Sequence, residues 1–257
     1  MSIPDSVKGL YGECFLMDCL VYMKSLPDKS IDLVFTDTLW GHDYQKNAQK
    51  PMGINQKATK QERVPYEDTW NPDFHIAWFT EAQRISNAQV VCVGRKHKNW
   101  WIQTFNPIDW VTLYYRNGQG STKISKYSAK MDYYCFGEEQ WWKEHEFFRD
   151  VYETYIHNGF LRDESDYIYK HPSPKDYKTW NIMIQDLNPL SIYDPFMGSG
   201  PIAEVGESNG IEWVGTELNL SDKGLPAGYN QDIAHRITLG QDRRQRKKKE
   251  KTQTTLD

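Results

Sequence analysis

The sequence predicts an α/β protein with a mainly parallel sheet and helices on both faces. Three observations carry this. Short runs rich in β-branched and aromatic residues recur along the 257 residues. Helix-period segments alternate with them. A glycine-containing turn, "DPFMGSGP", joins the end of one such run to the start of a helix, the connection that parallel α/β sheets use.

The elements follow in order. "IDLVFT" (31–36) is almost wholly apolar, which suits a strand buried on both faces. The helical pattern "HIAWFTEAQRIS" leads into a second strand, "AQVVCVG" (88–94). "WVTLYY" (110–115) and "DYYCFG" (132–137) read as two further strands. "SPKDYKTWNIMIQDL" is a helix preceding the strand "SIYD" (191–194). "PIAEVGESNG" then forms a helix that Pro201 opens and Gly210 closes, before the strand "EWVGTEL" (212–218). Residues 42–70 read as a long mobile loop and 138–170 as helical or irregular. The expected organisation is one domain over 1–241 and a basic disordered tail over 242–257.

Composition narrows the setting. Charged residues make up 26% and aromatics 14%, and no apolar run approaches the roughly 20 residues of a membrane span. "MSIPDSVKGL" lacks the layout of a signal peptide, so a cytoplasmic protein is expected. Cys14, Cys19, Cys92 and Cys135 are scattered with no CxxC pair, which predicts buried reduced thiols and no metal site. Trp100, Trp101, Trp141 and Trp142 read as core or interface residues. The net charge of −4 hides a tail of +4 and a body near −8. Basic groups are therefore localised if the partner is a nucleic acid. Lys46, Lys50, Lys57 and Lys60 gather in an acid-free stretch, and Arg116, Lys123, Lys126 and Lys130 mix with tyrosines.

The glycine turn carries the strongest functional signal. Gly198 and Gly200 follow a strand ending at Asp194, where ligands of such sheets bind and where glycine lets the backbone approach them. Two glycines do not make the GxGxxG fingerprint of a dinucleotide site. Glu217 ends the next strand about twenty residues on, the usual place for an acid that holds ribose hydroxyls. The alternative is a structural turn followed by an unrelated acid.

"DPFMGSG" with "WVGTELN" resembles the cofactor-binding half of the S-adenosylmethionine-dependent DNA amino-methyltransferases. "CFLMDCLVYMKSLPDKSIDLVFTD" is similar to their opening, and "HPSPKDY" (171–177) to their HP-x-x-K segment. The catalytic motif comes first and the glycine motif late, the order of their permuted β class. The resemblance implies a Rossmann-like methyltransferase fold, S-adenosylmethionine as cofactor and DNA as partner. It further implies that Asp18 accepts from the cofactor's adenine amino group and that Lys175 lines the pocket. Phe196, Gly198 and Gly200 would form the floor, with Asp194, Ser199 and Asn219 around them, and Glu217 would hold the ribose.

The family's catalytic motif is Asp, Ser or Asn, then Pro-Pro, then an aromatic residue. Here it reads "DTLW" (37–40). An exocyclic amino nitrogen is a poor nucleophile because its lone pair is delocalised into the base. Two acceptors on its protons can aim the lone pair at the methyl group. Asp37 supplies one acceptor, and the backbone carbonyl of Thr38 the other. Trp40 would stack on the base flipped from the duplex. Without prolines the loop should be looser and gains two N–H groups that need partners.

An Asp at the first position implies adenine rather than cytosine. Residues 116–170 would form a short target-recognition region, and the lysines of both stretches would meet phosphates. A homodimer or a partner subunit is compatible with this reading. Two other readings stay open: a catalytically silent nucleic-acid-binding subunit of the same fold, and methyl transfer to RNA or a nucleotide.

Overall fold

The protein is described by a computed structural model covering residues 5–40, 69–116, 130–145, 149–154, 167–171, 173–220, 224 and 226–254, with side chains to residue 250. Four strands come early: β1 (Ser6–Lys8), β2 (Gly12–Phe15), β3 (Ile31–Asp37) and β4 (Ser86–Cys92). β5 (Asp109–Tyr115), β6 (Lys130–Gly137) and β7 (Val151–Thr154) occupy the middle, and β8 (Ser191–Asp194) and β9 (Glu212–Thr216) come late. They form one sheet in the order β1-β2-β9-β8-β3-β4-β6-β5-β7. Among the described residues, only β1 and β6 run against the other strands.

Two apolar layers flank this sheet, and the alternation within the strands feeds both. Leu33, Phe35, Ala88 and Val90 face one layer. Helices α5 (Tyr177–Leu187), α6 (Pro201–Asn209) and α7 (Tyr229–Thr254) close that side. Val34, Val91 and Tyr193 face the other layer, closed by α1 (Cys19–Ser25), α2 (Pro72–Ile85) and α3 (Lys98–Phe105). The short α4 (Glu139–Lys143) places Trp141 in the first layer.

Local chemistry sets the helix ends. Asn71 accepts from the Phe74 N–H at 3.1 Å and Pro72 opens α2 with its φ already fixed. Asp176 accepts from the Thr179 N–H at 3.0 Å to start α5. Gly210, at φ 73°, ends α6 in the left-handed region that glycine enters without strain.

The connections decide where a ligand can sit. From β3 the chain crosses through α2 to β4, and from β8 it crosses through α6 to β9 in the opposite direction along the sheet. β3 and β8 are neighbours, so their carboxyl ends flank a crevice at a topological switch point.

The six strands read from the sequence are all present, within a residue or two at their ends. Short elements went unread: β1, β2 and β7 have three or four residues each and gain their stability from pairing with neighbours. The tail departs from expectation. Residues 242–254 continue α7 rather than standing apart as a disordered segment. Arg243 Nε donates to Glu204 Oε1 at 2.9 Å while its guanidinium lies 4.4 Å from the Tyr177 ring centre. Arg244 lies 4.4 Å from the Tyr11 ring centre, and Lys247 Nζ donates to Asn209 Oδ1 at 3.0 Å. Polar composition concealed this docking, because long basic side chains cover aromatic rings while pairing their heads with buried acceptors.

All four cysteines are free and buried. Trp101 and Trp141 belong to the core, with Trp100 and Trp142 packed against it. Among the described residues no helix is long and apolar enough to cross a membrane, and no group of three or more His, Cys, Asp or Glu side chains could hold a metal ion.

Two stability outcomes follow from this packing. In α6, a Cβ at Gly206 would lie 2.3 Å from Trp213 Cδ1, so the helix needs glycine there to sit on β9. Gly206→Ala should lower the unfolding free energy by about 1–3 kcal/mol despite alanine's better helix propensity; urea denaturation would read a gain if the contact were slack. Removing residues 242–257 should cost about 2 kcal/mol, since Glu204 loses one of its two guanidinium partners and two aromatic rings lose their cover. An unchanged denaturation midpoint would show the tail to be an ornament.

Candidate functional site

The crevice between β3 and β8 opens into a cavity of about 270 Å3. Asp37 at the end of β3, the turn after β8 and Glu217 after β9 line it together with Asp18, Lys175 and Phe74. Stretches far apart in sequence thus meet at one end of the sheet.

The glycine turn is fixed from beneath. Asp194 is buried, and its Oδ1 accepts from the Thr36 hydroxyl at 2.6 Å and from the Phe196 N–H at 3.0 Å. Burial pushes its carboxyl up to about 7; the two donors oppose this, and the charges of Asp37 and Glu217 add to it. Gly198 has φ 51°, and a Cβ there would sit 3.0 Å from His171 Nε2. Glu217 reaches back across the turn: its Oε2 accepts from the Gly198 N–H at 2.8 Å, and its Oε1 from the Asn219 N–H at 3.0 Å. Burial raises the Glu217 carboxyl, and these backbone donors counter it.

The predicted cofactor residues therefore fall into two groups. Asp18, Lys175, Phe196, Gly198, Ser199 and Glu217 line the cavity. Asp194, Gly200 and Asn219 stand behind the lining. Gly200 precedes α6 at φ 80°, close to Ile233, and the Asn219 Oδ1 accepts from the Tyr229 N–H at 2.7 Å. Asp18 also serves the fold, because its Oδ1 caps α1 by accepting from the Leu20 N–H at 2.7 Å and the Val21 N–H at 3.3 Å.

The catalytic stretch is better ordered than its lack of prolines suggests. The Thr38 N–H donates to the Cys92 carbonyl at 3.1 Å, and the Thr38 hydroxyl donates to the same carbonyl at 3.2 Å. β4 thereby fastens the loop that prolines would otherwise stiffen. Asp37 Oδ2 meets Lys175 Nζ at 2.6 Å, and Oδ1 is buried with no N–H or O–H donor among the described residues. Burial alone would depress the Lys175 ammonium, but the Asp37 carboxylate outweighs it and holds the lysine charged above its ordinary range. Trp40 lies outside the cavity lining, packed against the core with Lys175 Nζ 5.2 Å from its ring centre.

Several lining residues escaped the reading of the sequence. His171 stands within "HPSPK" but carried no role there, although its ring flanks Gly198 and packs edge-on to Tyr229, 4.9 Å away. The start of α7 holds this segment: Asp232 accepts from the Tyr167 hydroxyl at 2.9 Å and from the Lys170 and His171 N–H groups at 3.0 and 2.8 Å. Phe74, at the first turn of α2, carried no local signal. Of the expected phosphate contacts, Arg116 pairs with Glu153 through Nε at 2.6 Å, at the site end of β5. Lys46, Lys50, Lys57, Lys60, Lys123 and Lys126 lie outside the described residues.

Asp194 gives the site a pH signature. Its carboxyl rises from about 4 in the unfolded chain to about 7 in the fold. The native state thus binds the proton more tightly, and Asp194 costs stability progressively as pH climbs from about 4 through about 7. Asp194→Asn keeps an acceptor for Thr36 and Phe196 and should flatten the decline of unfolding free energy between about pH 5 and 8. Denaturation curves of equal pH slope for both proteins would contradict the buried acid's role.

No protein-family model matches the chain, and no curated protein matches it. Solved structures do. PvuII DNA methyltransferase, described as cytosine-N4-specific, matches at 16% identity with a TM-score of 0.54, over 91% of this chain and 94% of that one. M1.HpyAVI matches at 12% identity and a TM-score of 0.52, over 88% and 98%. TTHA0409 of Thermus thermophilus, named as a DNA modification methylase and complexed with S-adenosyl-L-methionine, matches at 13% and 0.51, over 90% and 96%. The likeness runs through nearly the whole of each chain, and the fold is the Rossmann-like α/β fold of S-adenosylmethionine-dependent methyltransferases.

Proposed function

We propose that this chain transfers a methyl group from S-adenosylmethionine to the exocyclic amino group of a base in DNA, adenine in preference to cytosine. One observation carries the reading: the Asp37 carboxylate stands at the cavity mouth beside the glycine turn, with Oδ1 buried and without an N–H or O–H donor among the described residues. Adenine rests on the acid at this position, by family resemblance. The cytosine-N4 specificity of PvuII DNA methyltransferase makes cytosine the alternative.

The cavity residues suit the cofactor. Gly198 keeps the backbone open where a side chain would close on His171. Phe196, Met197, Leu218 and Phe74 give apolar surface for a flat ring. Each Glu217 oxygen already takes one backbone N–H and retains a second lone pair for ribose hydroxyls. When bound, S-adenosylmethionine supplies an electrophilic methyl group.

The chain's own residues prepare the other reactant. Asp37 takes one amino N–H and the Thr38 carbonyl takes the other, which turns the nitrogen lone pair out of the ring plane. Nitrogen gains the methyl and gives up one proton, for which Asp37 is the nearby base. Thr38 holds the loop through Cys92, so the acceptors are in place before the base arrives. Trp40 offers a stacking face, and the basic stretches meet phosphates.

Incubation with labelled cofactor and unmodified DNA should place label in 6-methyladenine on nucleoside analysis. Label in 4-methylcytosine would change the base, and an absence of label would remove the activity. Asp37→Ala should lower the transfer rate at least about a hundredfold, the worth of roughly 3 kcal/mol of transition-state stabilisation, with cofactor affinity near normal. Equal turnover would acquit Asp37. Gly198→Val should weaken cofactor binding tenfold or more by calorimetry, since valine at φ 51° is strained and closes the cradle; unchanged affinity would place the cofactor elsewhere.

A further inference from the structure

We propose that Lys175 is the positioning residue of the base slot: it holds Oδ2 of Asp37 so that Oδ1 is the oxygen presented to the base's amino group. The inference rests on the methyl-transfer reading and sets this lysine to work at the acceptor rather than at the cofactor.

Three features support it. The first is the division of labour within the Asp37 carboxylate. Lys175 Nζ meets Oδ2 at 2.6 Å, with the side chains only 16% and 18% exposed. Oδ1 is buried and lacks an N–H or O–H donor among the described residues. A buried carboxylate oxygen without such a donor is costly, so a site that keeps one is reserving it for a ligand's donor. An amino N–H is such a donor.

The second is reach. The same ammonium lies 5.2 Å from the centre of the Trp40 ring. One cation therefore touches both the acceptor and the aromatic residue assigned to the base, and fixes their spacing. A neutral side chain could not do this, because both contacts need the charge.

The third is the anchoring of the lysine itself. The Lys175 carbonyl accepts from Arg236 Nη2 at 2.7 Å, and Arg236 is held by the buried Glu204 through Nη1 at 2.5 Å. Asp176, the next residue, caps α5. The backbone at Lys175 is thus clamped from α7 on one side and from a helix start on the other. A side chain that only contributed charge to an open pocket would not require such a clamp.

Lys175→Met and Lys175→Arg test the assignment on the full chain. In Lys175→Met, single-turnover methyl transfer at saturating cofactor and DNA should fall about a hundredfold, with cofactor affinity by calorimetry within about threefold of wild type. Lys175→Arg keeps the charge and should recover at least about a tenth of the wild-type rate. If Lys175→Met instead loses cofactor affinity tenfold or more while the saturated rate is kept, the lysine serves the cofactor and the proposal fails. A second measurement needs no activity at all. Without ligands, Lys175→Met, Asp37→Asn and the double variant should shift the urea midpoint non-additively, the double losing clearly less than the two singles summed. Additive shifts overturn the pair. If wild type transfers no methyl to any DNA while the cycle is non-additive, the enzymatic reading fails and the pairing of Lys175 with Asp37 stands.

Discussion

The hydrogen bond from Thr36 to Asp194 joins the two strands whose connections part company, and the site is assembled around it. β3 and β8 leave their carboxyl ends in opposite directions, which opens the crevice but also leaves its walls without a covalent link nearby. A 2.6 Å bond to a fully buried acid supplies that link. Everything functional is counted from there. The residue after Thr36 is Asp37, and the residues after Asp194 form the glycine turn. The strand spacing therefore fixes the distance between acceptor and cofactor cradle before any ligand binds.

The second constraint is the loop that follows β3. Related enzymes use two prolines there, by family resemblance, and "DTLW" has none. The structure offers a different route to the same rigidity. Thr38 commits both its N–H and its hydroxyl to one carbonyl of β4. Proline stiffens by removing a torsion, whereas threonine stiffens by tying the chain to a neighbour. The tie also disposes of one N–H that the missing proline would have left without a partner. The variant motif is thus an alternative construction of a loop, with the acid and the aromatic residue kept at its ends.

Much of this was legible in the sequence, for reasons that particular residues make clear. Strands such as "IDLVFT" announce themselves because burial on both faces demands an unbroken apolar run. The glycine turn was legible because φ values of 51° and 80° at Gly198 and Gly200 select glycine almost alone. Long-range polar ties left no such mark. Nothing local to Lys175 says that it pairs with Asp37, far earlier in the chain, and nothing local to Asp232 says that it holds Lys170 and His171. The tail misled for a related reason: its fixed contacts are made by arginine stems on aromatic rings, and composition counts arginine as solvent-seeking.

Helix α7 has a consequence of a different kind. Its first turns grip the segment carrying His171 and Lys175 through Asp232 and Arg236, and its later turns grip Glu204, Asn209 and Tyr11 through Arg243, Lys247 and Arg244. A single inserted or deleted residue between these grips would rotate one set about 100° and slide it about 1.5 Å against the other. The helix behaves as a ruler whose length is under selection even where its individual letters are not. Over evolutionary time, substitutions should accumulate freely on its outer face, while changes of length should be confined to the loops on either side of it.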